Sequence, residues 1–99
     1  MGMKLSPPDM ELYRVVDEVL HYLWDPIGVS SIPQARDEYH GYLPHVFGMV
    51  RSGADEVAIS AYLGEVITES MGLAANTKHD LNIAQVLVSW REAIASKSA

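Results

Sequence analysis

The chain of 99 residues contains no cysteine. Disulfide bonds, thiolate nucleophiles and zinc sites that need sulfur ligands are therefore excluded. A chain without cysteine fits a reducing compartment, and we expect a cytoplasmic location.

Basic residues and long apolar runs are also scarce. Seven lysines and arginines stand against thirteen aspartates and glutamates, which gives a net charge of −6. Nonspecific binding to nucleic acid and adsorption to an anionic membrane both need a basic surface, so neither is expected. No apolar run approaches the roughly 20 residues that span a bilayer, and residues 1–8 lack the apolar core of a signal peptide. The acidic surface serves solubility or docks on a basic partner.

Helical periodicity dominates the sequence. Apolar residues recur at spacings of three and four in four segments, and no segment alternates with the period of two expected of a strand. In the first segment these residues are Met10, Tyr13, Val16, Val19, Leu20 and Leu23. The hydrophobic content of 48% is enough for one core in a chain of this length. The sequence therefore predicts a single all-α domain, residues 1–99, built as a bundle of about four helices with antiparallel neighbours.

Prolines and capping residues indicate where the helices begin. Ser6 and Pro7 are typical of a helix start. Pro44 falls inside the apolar periodicity of the second helix, where it removes a backbone donor and clashes with a preceding carbonyl, so we expect a kink there. Residues 77–80, from Thr77 to Asp80, have the spacing of a capping box and predict the start of the fourth helix.

The segment Trp24–Ile32 is predicted to be an ordered loop. Pro26 and Gly28 end the first helix, because proline disfavours helical backbone in the residue before it and glycine accepts a positive φ. Trp24 and Ile27 are too apolar to remain in solvent, and we expect both to fill the core from outside the helices.

The loop also carries a recognisable motif. Residues 24–29 read Trp-Asp-Pro-Ile-Gly-Val, and they are followed by Pro33, by Ala35, by Asp-Glu-Tyr at 37–39 and by Tyr-Leu at 42–43. This arrangement resembles small bacterial proteins that combine a W-D-P-I-G loop with a D-E-Y helix start, as in the domain of unknown function DUF1871. The resemblance implies an all-helical fold and a bacterial cytoplasmic origin, and it implies no catalytic residue or cofactor.

The candidate binding residues lie in and after this loop. They are Trp24, Asp25, Asp37, Glu38 and Tyr39. One interpretation brings the carboxylates of Asp25, Asp37 and Glu38 together to hold a small ligand or a divalent metal ion. The other has these side chains tie the loop to the following helix by capping and hydrogen bonds. The residues favour the second interpretation, and we assign no metal ligand.

The sequence contains no pattern typical of an enzyme. No serine lies in a nucleophile elbow, no glycine run matches a phosphate-binding loop, and no histidine pair has the spacing found in metalloproteases. We therefore expect no catalytic residue, no cofactor and no enzymatic activity.

The aromatic residues favour an interaction protein. Tyr22 and Trp90 lie at the edges of the apolar faces of the first and fourth helices, so we expect both to be partly exposed, and such side chains anchor interfaces. We expect a protein–protein interaction module, for example an inhibitor of the immunity or antitoxin type, whose partner is a basic protein or a second copy of the chain. In a homodimer the fourth helices would pair through Trp90.

Overall fold

The computed structural model describes residues 5–98, and within that range the chain is helical and contains no strand. Residues 1–4 and residue 99 lie outside the described residues, and so does the first half of the segment 1–8 in which no signal peptide is expected. Four main helices form the bundle, as the sequence predicts, but the connection between the first and the second is long and covers residues 25–42. No helix in the described range is both long enough and apolar enough to cross a membrane.

Helix α1, Pro7–Glu18, begins and ends with distinctive geometry. The Ser6 side chain accepts a hydrogen bond from the backbone N–H of Asp9, and Pro7 occupies the first turn, where a missing N–H costs nothing. Without a break the chain then continues as a wider π-helical stretch, Val19–Trp24. The N–H of Asp25 closes this stretch by donating to the carbonyl of Leu20 at 3.1 Å.

Helix α2, Leu43–Arg51, is shorter than predicted. The kink expected at Pro44 is absent, because Pro44 lies in the first turn of α2, where its missing donor is tolerated. The residues before it form a short 3-10 helix, Pro33–Ala35, and a series of turns. The expectation of a bent second helix was therefore wrong: Pro44 begins the helix.

Helices α3 and α4 complete the bundle. Helix α3, Glu56–Glu65, begins with the Asp55 carboxylate accepting from the N–H of Ala58 at 2.9 Å, and it continues as a second π-helical stretch, Val66–Ser70. Helix α4 is Thr77–Ser98. Its cap is the side chain of Asn76, which accepts from the N–H of His79 at 3.2 Å, so the predicted capping box at Thr77 is not formed.

One hydrophobic core joins these helices. Helix α4 packs against both α1 and α3, and α1 also packs against α2. Helices α1 and α4 run antiparallel, since Lys97 meets Glu11 at one end (2.7 Å) while Trp24 meets Asp80 at the other. The most deeply buried apolar side chains are Val16, Leu20, Trp24, Val46, Val50, Ile59, Leu63 and Leu87.

Candidate functional site

Asp25 organises the loop that follows α1. One of its carboxylate oxygens accepts from the N–H of Val29 at 2.7 Å and from the Tyr39 hydroxyl at 2.7 Å. The other oxygen accepts from the N–H of Ser30 at 3.0 Å. The backbone of Asp25 is left-handed, with φ +36°, a conformation that aspartate and asparagine tolerate better than most residues. A single side chain therefore fixes both the direction and the shape of the loop.

The hydrogen bonds keep Asp25 ionised. Burial by itself raises the pKa of this carboxyl, but the hydrogen bonds from Tyr39, Val29 and Ser30 together outweigh burial and lower the pKa below its ordinary value. The negative charge of Asp25 is thus compensated inside the loop.

Tyr39 ties the loop to the segment before α2. Its ring is buried against Trp24, with ring centroids 5.4 Å apart. Its hydroxyl donates to Asp25 and accepts from the N–H of Ile27 at 3.2 Å. Burial, followed by the hydrogen bond to Asp25, raises the pKa of this phenol well above its usual range, so it stays protonated.

Trp24 connects the loop to α4. Its side chain is 1% exposed, which confirms the expectation that it fills the core. The indole Nε1 donates to Oδ1 of Asp80 at 3.1 Å, and the Trp24 carbonyl lies 3.0 Å from Nε2 of His79. Two consecutive residues of α4, His79 and Asp80, therefore hold the end of the π-helical stretch that continues α1.

Asp80, like His79, belongs to this region although the sequence did not predict it there. Its carboxyl is 1% exposed, and its second oxygen, Oδ2, is buried without a hydrogen-bond partner among the described residues. Burial raises the pKa of Asp80, although the hydrogen bond from Trp24 and the nearby His79 partly oppose this. The sequence contains a pattern that predicts the burial of Asp80. It precedes the core residues Ile83, Ala84 and Leu87 at spacings of three, four and seven, which places it on the apolar face of α4.

The remaining loop side chains point outward. Asp37 and Glu38 are exposed, and neither carboxylate forms a hydrogen bond or an ion pair within residues 5–98. Ile32 is 44% exposed and Ile27 is 43% exposed, so the expectation that Ile27 fills the core was wrong. The basic residue of this segment, Arg36, is already engaged by a bidentate contact to Asp17 at 2.8 and 3.2 Å. The free charge on this surface is consequently negative.

The three carboxylates proposed as a ligand or metal site are not gathered into one. Asp25 is occupied by three hydrogen bonds within the loop, and across residues 5–98 no group of three histidine, aspartate or glutamate side chains is placed to hold a metal ion. Asp25 does border a cleft of about 400 Å³, whose other walls include Trp24, Pro26, Ile67, Asn76 and His79. Binding of a small ligand or a divalent ion in this region stays a prediction.

The five predicted binding residues thus divide into two groups. Trp24, Asp25 and Tyr39 are bonded to one another or to α4, and they make the loop rigid. Asp37 and Glu38 are exposed and make no hydrogen bond or ion pair through their carboxylates with the residues that the structure describes. The interpretation in which these side chains tie the loop to the following segment accounts for the contacts of the first group. A role in binding stays a prediction for all five residues.

Comparison with family models, with curated proteins and with solved structures finds no match to this chain. The resemblance to DUF1871 therefore stays a prediction that depends on the motif residues alone.

Proposed function

We propose that this protein is a protein–protein interaction module that docks a basic protein through the outer side chains of the loop. We call these side chains the loop surface: Ile27, Ile32, Asp37 and Glu38. The observation that carries the proposal is the contrast between a loop backbone held by Asp25 and Tyr39 and outer side chains that are apolar or acidic and exposed to solvent. A loop ordered before binding loses little conformational entropy on docking.

The charge of the loop surface selects the partner. Arg36 is neutralised by Asp17, whereas neither Asp37 nor Glu38 forms an ion pair with a cation among residues 5–98. The whole chain has a net charge of −6, which steers a basic partner toward it and repels an acidic one. The exposed isoleucines, Ile27 and Ile32, supply apolar area on the same segment of the chain. A small acidic inhibitor of the immunity or antitoxin type in a bacterial cytoplasm is the concrete form that we propose.

The test compares the loop surface with a matched acidic pair elsewhere. Affinity capture from lysate of the native host is carried out with wild type, with Asp37→Asn/Glu38→Gln and with Glu65→Gln/Glu69→Gln. The last pair changes two exposed acids on the α3 segment by the same charge. We expect a basic protein to be captured by wild type and by the α3 variant, to be lost with the loop variant, and to elute at raised salt.

Two results would contradict the proposal. One is equal capture of the partner by the loop variant and the wild type, which would place the contact elsewhere. The other is a captured partner that is acidic, or no captured partner, because charge complementarity is the basis of the assignment.

A further inference from the structure

The first turn of α4, residues 77–80, follows a segment that makes few contacts. In that segment, residues 72–76, every residue is exposed. The N–H of Leu73 donates to the carbonyl of Ile67 at 2.9 Å, but within the described part of the chain no backbone N–H of residues 74–76 donates a hydrogen bond. Regions with few buried contacts and few hydrogen bonds open locally while the rest of a protein stays folded. The start of α4 is therefore placed where local opening costs little.

Two side chains join the first turn of α4 to the rest of the bundle, and both contact Trp24. Nε2 of His79 lies 3.0 Å from the Trp24 carbonyl oxygen, and Oδ1 of Asp80 accepts from the indole N–H at 3.1 Å. Thr77 and Lys78, in the same turn, are exposed. The attachment of the turn therefore depends on His79 and Asp80.

Asp80 occupies a position at this junction that suits an uncharged carboxyl. Its Oδ2 atom is buried without a hydrogen-bond partner among residues 5–98. This atom faces Gly64 of α3, where an added Cβ would lie 3.5 Å from it, so α3 presents backbone there and no donor side chain. A carboxylate in water is fully hydrated, so ionisation costs more in the junction than in solvent. The pKa of Asp80, which burial raises, agrees with this.

The groups around Asp80 do not offset the cost of ionisation. The π-helical stretch presents the neutral indole of Trp24, and α3 presents Gly64, which has no side chain. On α4 itself, His79 is the titratable neighbour whose charge acts on Asp80, and its effect is smaller than that of burial. Opening of the turn brings the carboxyl into water instead. The attached turn thus favours protonated Asp80, and the open turn favours the ionised form.

We propose that the first turn of α4 is a pH-sensitive attachment: it stays against Trp24 while Asp80 is protonated, and it unwinds and detaches more often once Asp80 ionises. Because attachment and protonation are linked, attachment is strongest below pH 3.8 and weakens as the pH rises through the higher pKa of the attached state. Asn76 and His79 are walls of the cleft of about 400 Å³ beside Trp24, so detachment also widens that cleft. The attachment is independent of any partner that the loop surface binds.

Hydrogen exchange of the full chain, followed by NMR spectroscopy, detects the opening. The indole N–H of Trp24 and the backbone N–H of Asp80 should exchange whenever the turn unwinds, because their acceptors are Asp80 and Asn76. The backbone N–H of the core residue Leu87 should exchange only when α4 unfolds as a whole. Small additions of urea should accelerate exchange at Leu87 and leave the other two groups nearly unchanged, since local opening exposes little surface.

The ratio of exchange rates between wild type and Asp80→Asn isolates the titration of Asp80. At each pH this ratio cancels the intrinsic pH dependence of exchange. It should rise with pH and then level off, by about tenfold in total for each pH unit by which the pKa of Asp80 is raised. Asp55→Asn, a matched change at the exposed N-cap of α3, should keep the wild-type rates in the first turn of α4. His79→Gln should keep the rise with pH, because the titrating group is Asp80.

Three results would overturn the proposal. One is a ratio that stays constant as the pH rises from 3.8. Another is loss of the rise in His79→Gln, which would assign the titration to His79. The third is exchange of the Asp80 N–H only together with that of Leu87, which would show that the turn does not open by itself.

The wild type alone decides the question if Asp80→Asn fails to fold. The indole N–H signal of Trp24 should then shift with pH in one step above pH 3.8, because its acceptor changes charge. The signal of Trp90, identified with Trp90→Phe, should not follow that step. A Trp24 signal that does not shift would contradict the proposal.

Discussion

The two tryptophans of this chain occupy opposite kinds of environment. Trp24 is buried and its indole donates to a buried carboxyl on α4, whereas Trp90 is 45% exposed on the outer face of the same helix. The first belongs to the region with the most distinctive residues in the sequence, and the second to an ordinary helical segment. Conspicuous residues such as Trp24 can therefore serve the framework, while an exposed helix face is built from common residues.

The difference follows from how each region satisfies its polar groups. After Trp24, the loop backbone cannot form helical hydrogen bonds, so the side chains of Asp25 and Tyr39 accept from its N–H groups. The buried indole N–H of Trp24 also needs an acceptor, which is Asp80. Such requirements specify residue types strictly. Around Trp90, the helix satisfies its own backbone, so the outward side chains of α4 are not restricted to particular residue types.

Truncation of Trp24 should have the largest effect. Trp24→Ala removes a fully buried ring from the core and leaves the carboxyl of Asp80 without its indole donor. We expect the free energy of unfolding to fall by about 3–5 kcal/mol, as for other large core truncations. Urea denaturation followed by circular dichroism measures this. A loss below about 1 kcal/mol would mean that Trp24 contributes no more to stability than an exposed residue such as Trp90.

Removal of the Asp25 carboxylate should have the next largest effect. Asp25→Ala leaves the N–H groups of Val29 and Ser30 unpaired and places alanine in a left-handed conformation, for a loss of about 2–3 kcal/mol. Asp25→Asn is the matched control: asparagine tolerates this backbone and keeps one oxygen acceptor, so its loss should be smaller. If Asp25→Asn and Asp25→Ala lose the same free energy of unfolding in urea denaturation, the shape of the side chain and one oxygen acceptor cannot replace the carboxylate.

Asp25 also predicts acid sensitivity. Its pKa is lower in the folded state than its ordinary value of 3.8. The stabilisation that it provides is therefore present above pH 3.8 and is lost as the pH falls through the lower folded pKa. The destabilisation caused by Asp25→Ala should accordingly diminish at the acid end of a pH series of unfolding measurements.

The sequence predicts the helices well because their signals are local. The cap at Ser6 and the apolar periodicity of α1 each depend on neighbouring residues. The cap is confirmed, and the periodicity is confirmed at Val16, Val19 and Leu20, which are buried. Met10 and Leu23 were expected on the same face but are 52% and 51% exposed. Pro44 was misplaced because a proline is equally compatible with a kink and with a first turn, and the choice depends on whether the preceding residues continue the helix. Here they form turns instead.

The candidate site was only partly predictable for the opposite reason. The bond between Trp24 and Asp80 joins residues 56 positions apart, and no local pattern specifies it. Ile27 was expected in the core on hydrophobicity alone, but the loop conformation set by Asp25 turns it outward. A residue type indicates what a side chain can do, and only the packing of distant segments decides which option is used.

The protonation of Asp80 makes the stability of the buried region around Trp24 depend on pH. Burial raises its pKa above the ordinary value of 3.8, so the stability linked to its protonated form is fully present below pH 3.8 and is lost as the pH rises through the higher folded pKa. Asp80→Asn keeps an oxygen for the indole of Trp24 and removes the ionisation. The stability of wild type relative to Asp80→Asn should therefore decline with rising pH, by about 1.4 kcal/mol for each unit by which the pKa is raised. A difference that is constant from pH 3 to pH 8 would contradict this.

Trp90→Ala should have the smallest effect on folding. Because Trp90 is 45% exposed, the substitution removes fewer core contacts than Trp24→Ala, and the free energy of unfolding should fall by no more than about 1–2 kcal/mol. Urea denaturation followed by circular dichroism compares the two variants under the same conditions. A loss as large as that of Trp24→Ala would show that Trp90 belongs to the framework as Trp24 does, and the contrast between the two regions would then disappear.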